Sequence, residues 1–211
     1  MLGAKRASSR RVRLWLAAIA VANAAPIAAQ QQVTARDSIG FALAEVIPLH
    51  EGVNRVDLAG GGSSGMVTVG RRENFNAHSR TTLTAYLSPD PNHWDLVTFW
   101  SDSAPERDDV STSEGADCAL QDIRLVRPAP GAPVSVVVAH RDLTGAYTDP
   151  SPVVFDLYEL RRNRDELVGW PASYYFKVRT LAARRRYCDV DQALAQELGL
   201  GTAGLYGMRF R

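Results

Sequence analysis

The chain predicts a mainly β fold: a single antiparallel sandwich- or barrel-like domain with a short C-terminal helix. Three observations point there. Apolar residues recur at every second position in run after run, which is the signature of half-buried strands. Turns rich in Pro, Gly and Asp separate those runs, as in sandwiches and barrels. One stretch near the C terminus carries clear start and stop signals for a helix.

Taken in order, the first 29 residues stand apart from the body. Lys5, Arg6, Arg10, Arg11 and Arg13 form a basic start without an acid, Leu14 to Ala25 are apolar, and Pro26-Ile27-Ala28-Ala29 closes the run. This is the layout of a secretory signal peptide, residues 1–29, with cleavage after Ala29 or, alternatively, after Ala24. The apolar run falls short of the roughly 20 residues a membrane span needs. No Cys follows it to take a lipid. An uncleaved anchor is the competing reading. Residues 30–211 then form a single mainly-β exported domain, periplasmic or secreted, with no membrane span after cleavage.

Export changes the charge reading. The chain has 24 basic and 23 acidic side chains, and five of the basic ones belong to the leader. The remaining 19 against 23 leave the body at −4. A mildly acidic body has no electrostatic footprint for nucleic acid and no polybasic face for anionic lipid.

Strands are predicted over Gly65–Gly70, Thr81–Ser88, His93–Trp100, Cys118–Val126, Val134–Arg141, Val153–Leu160 and Ser173–Leu181. Ser88-Pro89-Asp90-Pro91-Asn92, Pro128-Ala129-Pro130-Gly131 and Asp149-Pro150-Ser151-Pro152 supply turn chemistry between them. A helix over Asp37–Val46 has weaker signals. The acidic, polar stretch Ser101–Asp117 reads as a long loop, either a mobile flap or a functional one. The C-terminal helix has Asp189 as cap, Gln192 three residues on and Gly199 past its last apolar turn, with Ala193, Leu194 and Leu198 as its buried stripe. Cys118 and Cys188 are the only cysteines. In an oxidising compartment an even pair reads as one disulfide. It would close a loop of about 70 residues, worth roughly 4 kcal/mol in the chain-entropy model, and tie the helix to a strand.

Several strings look like chemistry and fail on context. His140-Arg141-Asp142-Leu143 matches the start of a kinase catalytic loop, but Tyr147 stands where its Asn belongs. The glycines of 199–204 fit a dinucleotide fingerprint but follow a helix at the chain end. His50-Glu51 opens like a zinc-protease helix, but Asn54 occupies the place of the second His. The four His residues share no metal spacing. The reading is therefore of no catalytic constellation, no metal and no cofactor.

Two segments carry more information. Gly52 to Gly62 resembles a D-x-N-x-D-G calcium loop, but only Asp57 and Gly62 hold their places. Ala59, Gly61 and Gly65 stand where oxygen ligands belong, and a hard dication wants six or more oxygens. The segment reads as a relic loop without its metal or as a plain Gly-Ser hairpin. The second segment, Gly70 to Ser79, concentrates Arg71, Arg72, Glu73, Asn74, Asn76 and His78 around Phe75. Arg offers planar donors to a carboxylate, Asn and His add neutral partners, and Phe75 adds an apolar wall. These six polar residues are the candidate site for a small anionic ligand. The competing reading is a polar connection whose Arg and Glu pair with each other and whose Asn side chains cap turns.

The run VDLAGGGSSGMVTVGRRENFNAHS, the GADC segment at Cys118 and YCDV at Cys188 resemble the periplasmic carbapenem self-resistance (CarG-like) proteins, from roughly Gly52 to Gly199. The resemblance implies a non-enzymatic exported protein that protects the cell from a carbapenem by binding the drug, a cell-wall target or an envelope protein. In that setting our assignment pairs Arg71 or Arg72 with the drug's carboxylate, with Asn74, Asn76 and His78 completing the contacts. The alternatives are an exported hydrolase with an unrecognised triad and an envelope adaptor.

Overall fold

The computed structural model describes residues 44–201 and Leu205, apart from 77, 116 and 144. The expected signal peptide, residues 1–29, and residues 37–43 of the weaker helix lie outside them. Where that helix was expected to end, Glu45–Val46 is a strand instead (β1), paired with Arg127 and Val126.

The described strands continue as β2 (Gly52–Arg55), β3 (Gly65–Arg72), β4 (Arg80–Asp90), β5 (His93–Ser101), β6 (Ala104–Arg107), β7 (Val110–Ser111), β8 (Ser113–Glu114), β9 (Ala119–Arg127), β10 (Ser135–Arg141), β11 (Ser151–Arg162) and β12 (Ser173–Tyr187). They curl into one sheet, a half-barrel, in the order β1-β9-β10-β11-β12-β5-β4-β3-β2. All seven predicted strands are present and the fold class is as expected. One neighbouring pair departs from the antiparallel pattern: β12 runs parallel to β5, with Tyr174, Tyr175 and Phe176 beside Thr98, Phe99 and Trp100. Hairpin turns make antiparallel neighbours, whereas a parallel pair needs a long connection. Here β6 to β11 supply it.

Alternation puts Val67, Val69, Leu83, Ala85, Leu87, Val97 and Phe99 inside the curl, where they meet Ile123, Leu125, Val136, Val138 and Tyr175. On β10 the intervening residues Val137 and Ala139 are buried on the other face. β10 is therefore apolar on both sides, as a strand between two layers must be. An irregularity between β11 and β12 at Leu157/Tyr158 inserts an extra residue into β12 and reverses its parity. Tyr175 before it faces the interior, while Leu181 and Ala183 after it pack under the C-terminal helix.

The stretch Ser101–Asp117 corrects an expectation. It is not a structureless loop. Its middle forms a strap: Ser111 and Val110 pair with Thr82 and Leu83 of β4, then Ser113 and Glu114 pair with Gln121 and Ala119 of β9. Thr112 is fully buried at the crossover, and its N–H donates to the carbonyl of Thr81 at 2.8 Å. The strap joins two strands far apart in the sheet order and draws the half-barrel closed. Period-two reading missed it because its strands are only two residues long.

The helix α1 (Val190–Ala193) continues as a π-helical turn over Leu194–Leu198. Asp189 caps it, its carboxylate accepting from the Asp191 N–H, and Gly199 ends it at φ 69°. Val190, Ala193, Leu194 and Leu198 bury against the outer face of the sheet beside Val153, Phe155 and Val137. Cys118 and Cys188 are joined, with Cα atoms 5.8 Å apart, so the helix is tied to the start of β9.

A second tie is ionic. Arg124, 1% exposed, donates to Asp122 at 2.5 Å and to Asp191 of the helix at 2.8 Å. Burial opposes the charge on Arg124, and the two carboxylates outweigh it and raise its pKa. Burial and the neighbouring Asp122 together push Asp191 up to about 7, against the pull of Arg124. One guanidinium serves two buried carboxylates, and like charges in such a site disfavour joint ionisation.

Replacing both cysteines by serine should lower the unfolding free energy in urea by about 4 kcal/mol; an unchanged midpoint at equal slope would contradict the disulfide's structural role. A carboxyl whose native pKa is raised binds its proton more tightly when folded. The stability it contributes is complete at low pH and is lost as pH rises toward about 7. Asp191→Asn should remove that loss, so the stability of the variant relative to the wild type should climb between about pH 4 and pH 8. Parallel pH profiles for the two proteins would refute the assignment.

Candidate functional site

The six predicted site residues lie on the turn between β3 and β4, and the fold brings them together. Arg71 and Arg72 end β3, paired with Thr81 and Arg80. Glu73 organises the turn. One of its oxygens accepts from the Phe75 N–H at 2.8 Å and the Ser79 hydroxyl at 2.9 Å, and the other accepts from Arg71 at 3.1 Å. The Ser79 bond, then the Phe75 N–H, then Arg71 hold its carboxyl below the usual value. Asn74 donates to the His78 carbonyl at 2.7 Å, and Asn76 accepts from the His78 N–H at 2.8 Å. The His78 ring faces the Glu114 carbonyl through Nδ1 at 3.0 Å, so Nδ1 carries the proton there. Glu114 comes from the strap, and its carboxylate lies 3.7 Å from Arg71.

The loop is thus largely satisfied from within. Arg71 is held between two carboxylates, and both asparagines act as turn caps. Two side chains are presented outward. Arg72 is exposed and, among the described residues, makes no side-chain hydrogen bond or ion pair. Phe75 is 95% exposed and sits at φ 55°, in the left-handed region. A bulky residue there carries a strain of about 1–3 kcal/mol, and such strain gathers at working sites. Beside the loop an open cavity of about 490 Å³ is lined by Glu51, Gly52, Val69, Gly70, Arg71 and Glu73. Only Arg71 and Glu73 of the six candidates reach its wall.

The glycine loop between β2 and β3 is closed by Asp57. Its carboxylate accepts from the Gly62 N–H at 2.7 Å, the Ser63 N–H at 3.0 Å and the Ser63 hydroxyl at 2.5 Å. Burial pushes Asp57 up, but these donors and Arg127 outweigh it and lower its pKa. Gly60, at φ 78°, passes so close to the Gly131 carbonyl that a Cβ would lie 2.2 Å from it. Of the strings set aside earlier, His50 and Asn54 close a turn on each other through two hydrogen bonds of 2.9 and 2.8 Å. Arg141 holds the β10–β11 connection through the carbonyls of Tyr147 and Asp149. His50 and His78 face backbone oxygens, and His93 and His140 face Asp95 and Asp142.

Sequence reasoning missed a second concavity. A cavity of about 620 Å³ is lined by Ala59, Pro133, Leu160, Arg161, Arg162, Arg164 and Tyr174. Its signal was visible as Arg161-Arg162-Asn163-Arg164 followed by Trp170 and Tyr174, but only the fold places those residues beside Ala59 and Pro133. The β2–β3, β9–β10 and β11–β12 turns gather at this end, as the Val134 N–H to Leu58 carbonyl bond of 2.8 Å shows. The β3–β4 and β10–β11 loops occupy the other end, where the rings of His78 and Tyr147 lie 6.0 Å apart.

The family model described as "Carbapenem resistance protein CarG-like" matches residues 49–196. A crystal structure of CarG shares 21% identity with this chain at a TM-score of 0.62, covering 72% of this chain and 94% of that one. No curated protein matches.

Removing the organising carboxylate tests the internal wiring of the loop. Glu73→Ala should speed amide hydrogen exchange at Phe75 and loosen the turn through Ser79, with the melting temperature little changed. Protection equal to that of the wild type would show that Glu73 does not order the loop.

Proposed function

This chain belongs to the CarG-like family, and we propose that it is an exported, non-catalytic protein that protects the cell from a carbapenem by binding the drug or a cell-wall target. The observation that carries this reading is the outward pair on the β3–β4 loop. Phe75 is held in a strained conformation with its ring in solvent, and on the same turn Arg72 is exposed and, among the described residues, makes no side-chain hydrogen bond or ion pair. A carbapenem offers a carboxylate for the guanidinium and a ring system for the phenyl group. The rest of the loop is tied down, so the backbone that carries the pair is preorganised. Arg71, held between Glu73 and Glu114, serves to brace the pair.

Other features support the reading. The two thiols are joined, which fits an oxidising compartment. The basic and apolar leader fits export. Both cysteines are spent in the disulfide, so neither serves as a nucleophile.

Mature protein incubated with a carbapenem should show a raised melting temperature and no loss of the drug's ring absorbance. Steady loss of absorbance would make it a hydrolase. Arg72→Ala should weaken binding by about ten- to a hundredfold, the worth of one charge-assisted hydrogen bond, and Phe75→Ala should weaken it further. Affinity unchanged in both variants would remove the loop from the site.

A further inference from the structure

The cavity at the other end of the half-barrel has no part in the reading above. Arg161, Arg162 and Arg164 all line it. Among the described residues neither Arg162 nor Arg164 makes an ion pair or a side-chain hydrogen bond. Arg161 lies over the ring of Phe176 at 4.2 Å. Asp165 and Glu166 are close in sequence, yet no ion pair joins them to these arginines among the described residues. Three like charges around one concavity, without a carboxylate between them, call for a ligand that brings more than one negative charge. The cavity also has a ring-shaped wall. Tyr174 is half-buried and packs against Trp170 at 5.4 Å, Trp100 at 6.3 Å and Phe176 at 6.5 Å. Trp100 and Trp170 stack on each other at 4.4 Å behind it. Leu160 and Pro133 complete an apolar side.

We propose that this cavity is an anion site for a ring bearing a phosphate monoester, with a phosphorylated sugar as its simplest form. A phosphate monoester carries about −1.5 to −2 charge near neutrality and three acceptor oxygens. Guanidinium groups meet such oxygens in pairs. The ring of the ligand lies on Tyr174, whose own orientation the tryptophan stack fixes. A singly charged carboxylate would engage one arginine and leave the others unpaired, so this site prefers a different ligand from the β3–β4 loop. The same headgroup chemistry occurs on lipids. Leu167 at 55% exposure and Val168 at 100% stand on the same turn, and a membrane would cover them.

Calorimetry with glucose 6-phosphate, inorganic phosphate and glucose tests the site, alongside co-sedimentation with phosphatidylcholine vesicles with and without phosphatidic acid. The expected order is glucose 6-phosphate above inorganic phosphate, with no binding of glucose. Arg162→Ala plus Arg164→Ala should weaken the sugar phosphate at least tenfold at an unchanged melting temperature. Tyr174→Leu should weaken the sugar phosphate and spare inorganic phosphate. Binding only to vesicles that contain phosphatidic acid, abolished by the same arginine pair, would support the site with a lipid as its source. If neither phosphate monoester binds, or if the double arginine variant binds as the wild type does, the proposal fails. Carbapenem binding is measured separately at Arg72, so either site can fail alone.

Discussion

The sheet has an apolar outer face, and the structure depends on keeping that face covered. Val137, Ala139, Val153 and Phe155 would meet water if the C-terminal helix lifted away. A helix this short has little stability of its own, and its packing face holds it in place. Two further constraints prevent its release. The disulfide limits how far it can travel, and Arg124, buried between Asp122 and Asp191, fixes how it sits. The two act differently. The covalent tie restricts the unfolded chain. The ionic one carries a desolvation cost that is met only while all three partners stay in register.

The same strands serve both layers. β10 contributes Val136 and Val138 to the interior and Val137 and Ala139 to the helix side, so its whole apolar run is structural. The strap carries that order to the β3–β4 loop. Ser113 and Glu114 pair with β9, and Glu114 in turn touches Arg71 and His78. The loop that presents Phe75 and Arg72 is therefore braced from a strand that belongs to the helix-covered half of the sheet.

Much of this was legible in the chain because it is local. Leu83, Ala85 and Leu87 alternate with Thr82, Thr84 and Tyr86, and that pattern alone marks a strand with one face inside. Asp189 and Gly199 mark the ends of the helix by backbone chemistry at single positions. The disulfide follows from there being two cysteines. What escaped depends on residues distant in sequence. The strap's strands are too short to show a period. The extra residue in β12 reverses its parity only in relation to β11. Arg124 reads as an ordinary strand arginine until Asp191 arrives from the helix. The candidate loop shows the same limit. Its inventory of Arg, Asn, Glu and His suggested a ligand, yet most of those groups bind one another. The Arg161 to Arg164 cluster carries no local mark of a cavity, and only the fold sets it beside Pro133 and Ala59.

The parallel join between β5 and β12 governs the order in which the molecule can assemble. β2 to β5 form from neighbouring hairpins, and so do β9 to β12. Each half can therefore organise from contacts close in sequence, while their seam must wait until the last strand has emerged and found its partner. Pairings of that separation form slowly. Until then the free edges of β5 and β12 are open templates for another chain. The vulnerable moment in the life of this protein is the interval before that seam closes, when crowding among newly made copies is most dangerous to it.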